Sequence, residues 1–180
     1  KGIRHIVNWH RDPKLTYGPV DLTVDPQWRA GYALLAKHGL SFDLQCYPGQ
    51  MPGLAPLIAR HPDIPVIINH MGMPVLTDPD GLADWRKGMK ALAALPHILV
   101  KLSGMGFIRR DWTRESIEPL VRETIDMFGV DRCAFASDTP TDKLFGSIDR
   151  YIESYHASGA DFADSDRRAL FGGNANRFYR

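Results

Sequence analysis

The stretch Pro65-Val66-Ile67-Ile68-Asn69-His70, followed at once by Met71-Gly72-Met73-Pro74, decides how the chain folds. Its apolar residues follow one another without alternation, as in a strand covered by helices on both faces, and an imidazole closes it just before a turn. Residues 3–9, 41–47, 98–104 and 132–138 have the same character, so five strands are expected in all. Longer segments with helical spacing separate them, which is the pattern of repeated βα units around a parallel sheet.

The helices carry their own punctuation. Asp25 is expected as an N-cap with Pro26 at the first helical position and Gly39 as the stop, Trp28, Tyr32 and Leu35 forming the apolar side. A second helix shows Leu82, Trp85, Met89, Leu92 and Leu95 before Pro96, and a third shows Ile117, Leu120, Val121, Ile125 and Phe128 before Gly129. A fourth places Phe145, Ile148, Ile152 and Tyr155 on one side and ends at Gly159, and a short one is expected over 164–171.

Composition bounds the rest. With 180 residues, 44% of them hydrophobic and 24% charged, the chain has the balance of a packed globule, which excludes disordered and fibrous classes. Lys and Arg number 22 against 21 Asp and Glu, so no basic stripe exists to neutralise many phosphates and nucleic acid is not an expected partner. No apolar run approaches the roughly 20 residues of a membrane helix. The expectation is a cytoplasmic protein with a small-molecule substrate and no membrane partner. Cys46 and Cys133 sit inside strand-like runs and are expected to be buried, reduced thiols. The first residue is not Met and a strand begins almost immediately, which reads as a piece of a longer chain.

Two architectures fit five βα strands: a complete doubly wound sheet, or a (β/α)8 barrel, which takes about 250 residues, with its first three strands outside this sequence. In both, reactive groups gather where strands end. His70 and Asp138 stand at two such ends, the latter in Ala136-Ser137-Asp138-Thr139-Pro140. Alone, the histidine is a polar group satisfied at a sheet rim and the aspartate an N-cap; together they supply a general base and either a metal ligand or a hydrogen-bond donor for a carbonyl oxygen. Lys101 and Ser103 share one strand face by the period of two, and Lys101 either pairs with a carboxylate such as Asp43 or anchors substrate. Gln45 is a candidate partner for a hydroxyl, and Trp9, with His10 and Arg11, for the lining of a pocket.

Other chemistries are set aside by spacing. Gly104-Met105-Gly106 lacks the third glycine of a dinucleotide loop, no Walker lysine follows a glycine-rich turn, and no Gly-x-Ser-x-Gly elbow occurs. The run Phe171-Gly172-Gly173-Asn174 is expected as a helix stop followed by an Asn N-cap.

Five motifs, in order, carry a family resemblance: Phe42-Asp43-Leu44-Gln45, Ile68-Asn69-His70-Met71-Gly72-Met73-Pro74, Val100-Lys101-Leu102-Ser103-Gly104, Ala136-Ser137-Asp138-Thr139-Pro140 and Gly173-Asn174-Ala175. Over essentially the whole chain they resemble the amidohydrolase-related (amidohydrolase 2) TIM-barrel hydrolases, especially the branch of sugar lactonases and 2-pyrone-4,6-dicarboxylate lactonase. The resemblance implies an α/β, TIM (β/α)8-type barrel. Residues 1–180 would be its C-terminal portion as a single domain, with about five βα units, the strand ending at Asp138 being the barrel's eighth and that ending at His70 its sixth. The family's first-strand His-x-His pair does not occur in this sequence, Thr139 replaces an aromatic residue frequent after the Ser-Asp pair, and Gln45 stands where many amidohydrolases place a metal-binding histidine.

What the resemblance implies for function is a lactone hydrolase in which Asp138 activates water and His70 stabilises the oxyanion, with Lys101, Gln45, Ser103 and Trp9 around the substrate. His70 and Asp138 would hold one divalent ion, zinc first, or act without metal as in some members of the branch. The alternatives are a zinc-dependent decarboxylase of the same superfamily, and an inactive, truncated barrel whose open edges lead it to pair with a partner or with itself as a homo-oligomer.

Overall fold

A computed structural model describes residues 1–179. In chain order it runs β1 (Gly2–Ile6), α1 (Pro26–Lys37), β2 (Ser41–Gln45), α2 (Met51–Ala59), β3 (Val66–Ile68), α3 (Gly81–Ala93), β4 (Ile98–Leu102), α4 (Met105–Ile108), α5 (Arg114–Phe128), β5 (Cys133–Phe135), α6 (Ile148–Ser158), α7 (Asp164–Arg168) and α8 (Asn174–Tyr179). The expected α/β alternation is present, and each strand is shorter at its C-terminal end than the sequence pattern implies. The apolar character continues past the last ladder bond because these segments turn into the buried loops that carry the polar residues.

The chain separates into two compact units, one of Lys1–Ile68 with Gly72–Ile98 and one of Asn69–Met71 with the chain from Leu99 onward. In unit 1, β1 pairs in parallel with β2, Ile3 opposite Phe42, and β2 with β3, Leu44 opposite Ile68. β2 and β3 are almost wholly buried, whereas β1 is largely exposed. Asp25 caps α1 as expected, its side chain accepting from the Trp28 N–H, and Gly39 takes the left-handed φ of 58° that ends the helix region. α2 was not expected from periodicity, because Pro52, Gly53 and Pro56 read as breakers. Pro52 lies in the first turn, where its missing N–H is surplus, and the burial of Met51, Leu54, Leu57 and Ile58 outweighs the bond that Pro56 cannot make. α2 and α3 pack side by side, Gly88 of α3 leaving room for Met51. Leu82, expected on the buried side of α3, faces solvent.

In unit 2, β4 pairs in parallel with β5, Val100 opposite Cys133. α5 begins with a reciprocal cap, Thr113 and Ser116 each taking the other's backbone N–H, and stops at Gly129. The expected apolar side of α6 is corrected: Phe145 lies in the turn before the helix, and Ile152 is exposed while Tyr151, Ser154, Tyr155 and Ser158 face inward. Asn174 is not a simple N-cap. Its Nδ2 donates to the carbonyls of Val130 and Cys133 at 2.7 and 2.8 Å, clasping the start of α8 to the entry of β5. Both cysteines are free and buried, and burial raises both thiols, that of Cys133 to about 12, which disfavours the reactive thiolate at either position. Among the described residues no helix is long and apolar enough to cross a membrane.

Candidate functional site

Three segments of unit 2 meet at one point: Asn69–Met71 following β3, Ser103–Gly104 following β4, and the turn from Asp138 to Asp142 following β5. His70 is buried to 2%, and its Nδ1 lies 3.0 Å from the Ser103 hydroxyl oxygen. Its Nε2 faces Asp138, 3.9 Å from Oδ1. That separation is too long for a direct hydrogen bond, and two groups so spaced can both bond a third oxygen lying to one side of the line between them.

The backbone around these side chains is strained. His70, Met71 and Asp138 have φ of 55°, 51° and 48°, all in the left-handed region that costs a non-glycine residue about 1–2 kcal/mol. Gly104, at φ 71°, permits the close approach of the imidazole: a Cβ there would stand 2.6 Å from Cβ and Cγ of His70. Phe107 covers the other side of the ring, its centroid 5.5 Å away, and stacks edge-on with Phe145.

Asp142 is the residue that sequence reasoning missed. It is buried to 1%, and neither carboxylate oxygen has a hydrogen-bond partner of ordinary geometry among the described residues. Burial first, and the nearby Asp138 charge second, push its carboxyl up to about 7. A relay fixes its backbone: Trp112 Nε1 donates to the Tyr151 hydroxyl at 3.0 Å, which donates to the Asp142 carbonyl at 3.2 Å. The only signal in sequence was the spacing Asp138-x-x-x-Asp142 after a strand end, which an ordinary turn also produces.

The Lys101 ammonium sits over the Tyr179 ring, 5.4 Å from its centroid. Gln45 and Trp9 belong to unit 1, where Gln45 Oε1 accepts from Arg4 at 2.7 Å and the Trp9 N–H donates to Gln50 at 3.1 Å. Among the described residues no three His, Cys, Asp or Glu side chains converge as a metal site would require. His70 and Asp138 supply two donors, one fewer than the protein usually gives a catalytic zinc, though the Ser103 bond orients the ring as an outer partner orients a metal-binding histidine.

A family model for amidohydrolases (Amidohydro_2) matches residues 1–180. Among curated proteins, the chain is 44% identical over 181 residues to the uncharacterized protein y4mH of Sinorhizobium fredii, covering 100% of this chain and 61% of that protein. It is 33% identical over 169 residues to an L-fucono-1,5-lactonase of Burkholderia multivorans, covering 86% and 56% respectively. Among solved structures, an amidohydrolase of Burkholderia multivorans with bound zinc superposes with a TM-score of 0.84 at 30% identity, over 99% of this chain and 64% of that one. The chain therefore spans less than two thirds of each of these relatives. That share, with five parallel strands alternating with helices, agrees with part of a TIM-type barrel.

Proposed function

The chain belongs to the amidohydrolase family, and from that premise we propose that the complete protein hydrolyses a small lactone, with residues 1–180 as a single domain forming the C-terminal portion of its barrel. The observation that carries this reading is the placement of His70 Nε2 against Asp138 Oδ1, 3.9 Å apart, where the chain leaves the ends of β3 and β5. The likeness to an L-fucono-1,5-lactonase supports the substrate type.

Asp138 takes a proton from water as the water oxygen bonds to the lactone carbonyl carbon. The carbonyl electron pair moves onto its oxygen, which accepts a hydrogen bond from His70 Nε2–H. That tautomer requires Nδ1 to accept from the Ser103 hydroxyl, 3.0 Å away, so Ser103 acts by positioning the ring. Collapse re-forms the C=O bond and breaks the bond to the ring oxygen. The ring oxygen receives the proton from Asp138, giving the open hydroxy acid.

The zinc of the superposed relative belongs to that protein. A divalent ion bound by His70 Nε2 and the Asp138 carboxylate would act as a Lewis acid on the carbonyl; among the described residues these two donors do not complete a metal site. The cytoplasmic setting expected from the sequence goes with this reading.

Proton release from neutral and dicarboxylated lactones, measured in a pH-stat with the complete protein, tests the proposal. Release that disappears in His70→Ala supports it. Carbon dioxide release from aromatic carboxylic acids, with no lactone turnover, replaces it with a decarboxylase.

A further inference from the structure

Unit 1 holds a cavity of about 150 Å3 whose lining joins the polar groups of His10, Arg11, Asp21, Asp78 and Asp84 to apolar surface that includes Trp9 and Val75. One buried amide organises its framework. Gln50, buried to 4%, accepts from the N–H groups of Trp9 and Tyr47 at 3.1 and 3.0 Å and donates to the Val7 carbonyl and Asp21 Oδ1 at 2.9 and 2.7 Å. One amide thus ties together the segments after β1 and β2 and the turn holding Asp21.

The same geometry fixes protonation. His10 Nδ1 accepts the Asp12 N–H at 3.0 Å, so the proton of the neutral ring is on Nε2, which donates to Asp78 Oδ2 at 3.0 Å. Arg11 Nη2 donates to the same oxygen at 3.2 Å. Asp78 Oδ1, Asp21 Oδ2, the Asp84 carboxylate and the Trp9 indole N–H make no hydrogen bond among the described residues. The lining therefore combines unspent acceptors, unspent donors on Trp9 and Arg11, and an indole exposed to 37%. Three carboxylates outnumber the one guanidinium and the one imidazole of the lining, which is therefore negative and repels an anionic guest. Hydroxyl groups, which donate and accept at once, satisfy such a lining, and the indole offers its face to ring C–H groups.

We propose that this cavity binds a neutral polyhydroxylated ring of monosaccharide size and rejects dicarboxylates, Trp9 and Asp78 being its selectivity residues. The proposal rests on the lactonase reading only in naming that ring a sugar lactone; binding itself is independent of turnover.

Titration calorimetry of the complete protein with D-galactose, D-mannose and D-xylose, and with citrate, tests it. At least one aldopyranose is expected to bind, citrate not to bind, and Trp9→Ala and Asp78→Asn each to weaken the sugar by tenfold or more. Arg11→Gln, at an exposed side chain that folding does not need, is expected to weaken it severalfold and guards against a merely misfolded variant. Citrate binding more tightly than every sugar, or sugar affinity unchanged in all three variants, overturns the proposal. Sugar binding lost in these variants of a protein that hydrolyses no lactone leaves the cavity assignment standing and defeats the lactonase reading. Lactone turnover with sugar affinity untouched by the variants does the reverse.

Discussion

Gln50 in unit 1 and Asp142 in unit 2 are both almost fully buried, yet Gln50 spends its amide on four hydrogen bonds while the Asp142 carboxylate has none of ordinary geometry among the described residues. Around Gln50 one fully bonded amide ties together the segments that border a cavity. Around His70 the backbone is left-handed at several residues, a carboxyl is kept from water, and His70 and Asp138 stand just too far apart to bond. Burying a polar group without a partner costs free energy that a purely structural region has no reason to bear. This contrast is what the proposed roles require, recognition in unit 1 and reactive groups in unit 2.

After loss of the general base itself, the largest expected effect follows from deleting the donor in unit 2. His70→Ala should lower kcat for lactone hydrolysis by about 10^2–10^3, the range for losing one oxyanion donor, with a smaller change in KM; steady-state kinetics on the complete protein checks this.

Next comes the pH dependence of stability. The Asp142 carboxyl is raised from 3.8 to about 7, so between those values the folded state holds a proton that the unfolded chain has released. Stability should therefore fall as pH rises from about 4 to about 7, by up to about 4 kcal/mol, and level off above. Asp142→Asn should flatten that slope and be more stable than the parent at pH 8, as read by denaturant unfolding across the range.

A smaller effect is expected at Gly104, where a methyl group meets the imidazole and φ is 71°. Gly104→Ala should cost about 1–3 kcal/mol of stability and reduce kcat more than it raises KM, because His70 is displaced. The smallest is in unit 1. Gln50→Leu, which keeps volume but strands four bonded groups, should cost about 1–3 kcal/mol and leave kcat near the parent value while weakening ligand binding, which sharpens the division between the two regions. A kcat loss in Gln50→Leu as large as that in His70→Ala would break it.

The strands were legible because buried parallel strands are continuous apolar runs, and the cap at Asp25 and the stop at Gly129 follow local chemistry; the Thr113 cap shows only in the structure. α2 was not, since its prolines argue locally against a helix that tertiary burial imposes. His70 and Asp138 could be found because strand ends are where reactive groups gather. Asp142 and Gly104 could not: a carboxylate in a turn and a glycine after a strand are ordinary in sequence, and only packing shows that one is desolvated and the other makes room for a ring.

The most direct test of the central claim is the rate of lactone hydrolysis by Asp138→Asn in the complete protein, measured beside the parent with folding verified by circular dichroism. The amide preserves shape and cannot accept the proton from water, so turnover should fall by about 10^2–10^4, the contribution of a positioned general base. Turnover within a fewfold of the parent would contradict the assignment of Asp138 and the mechanism built on it.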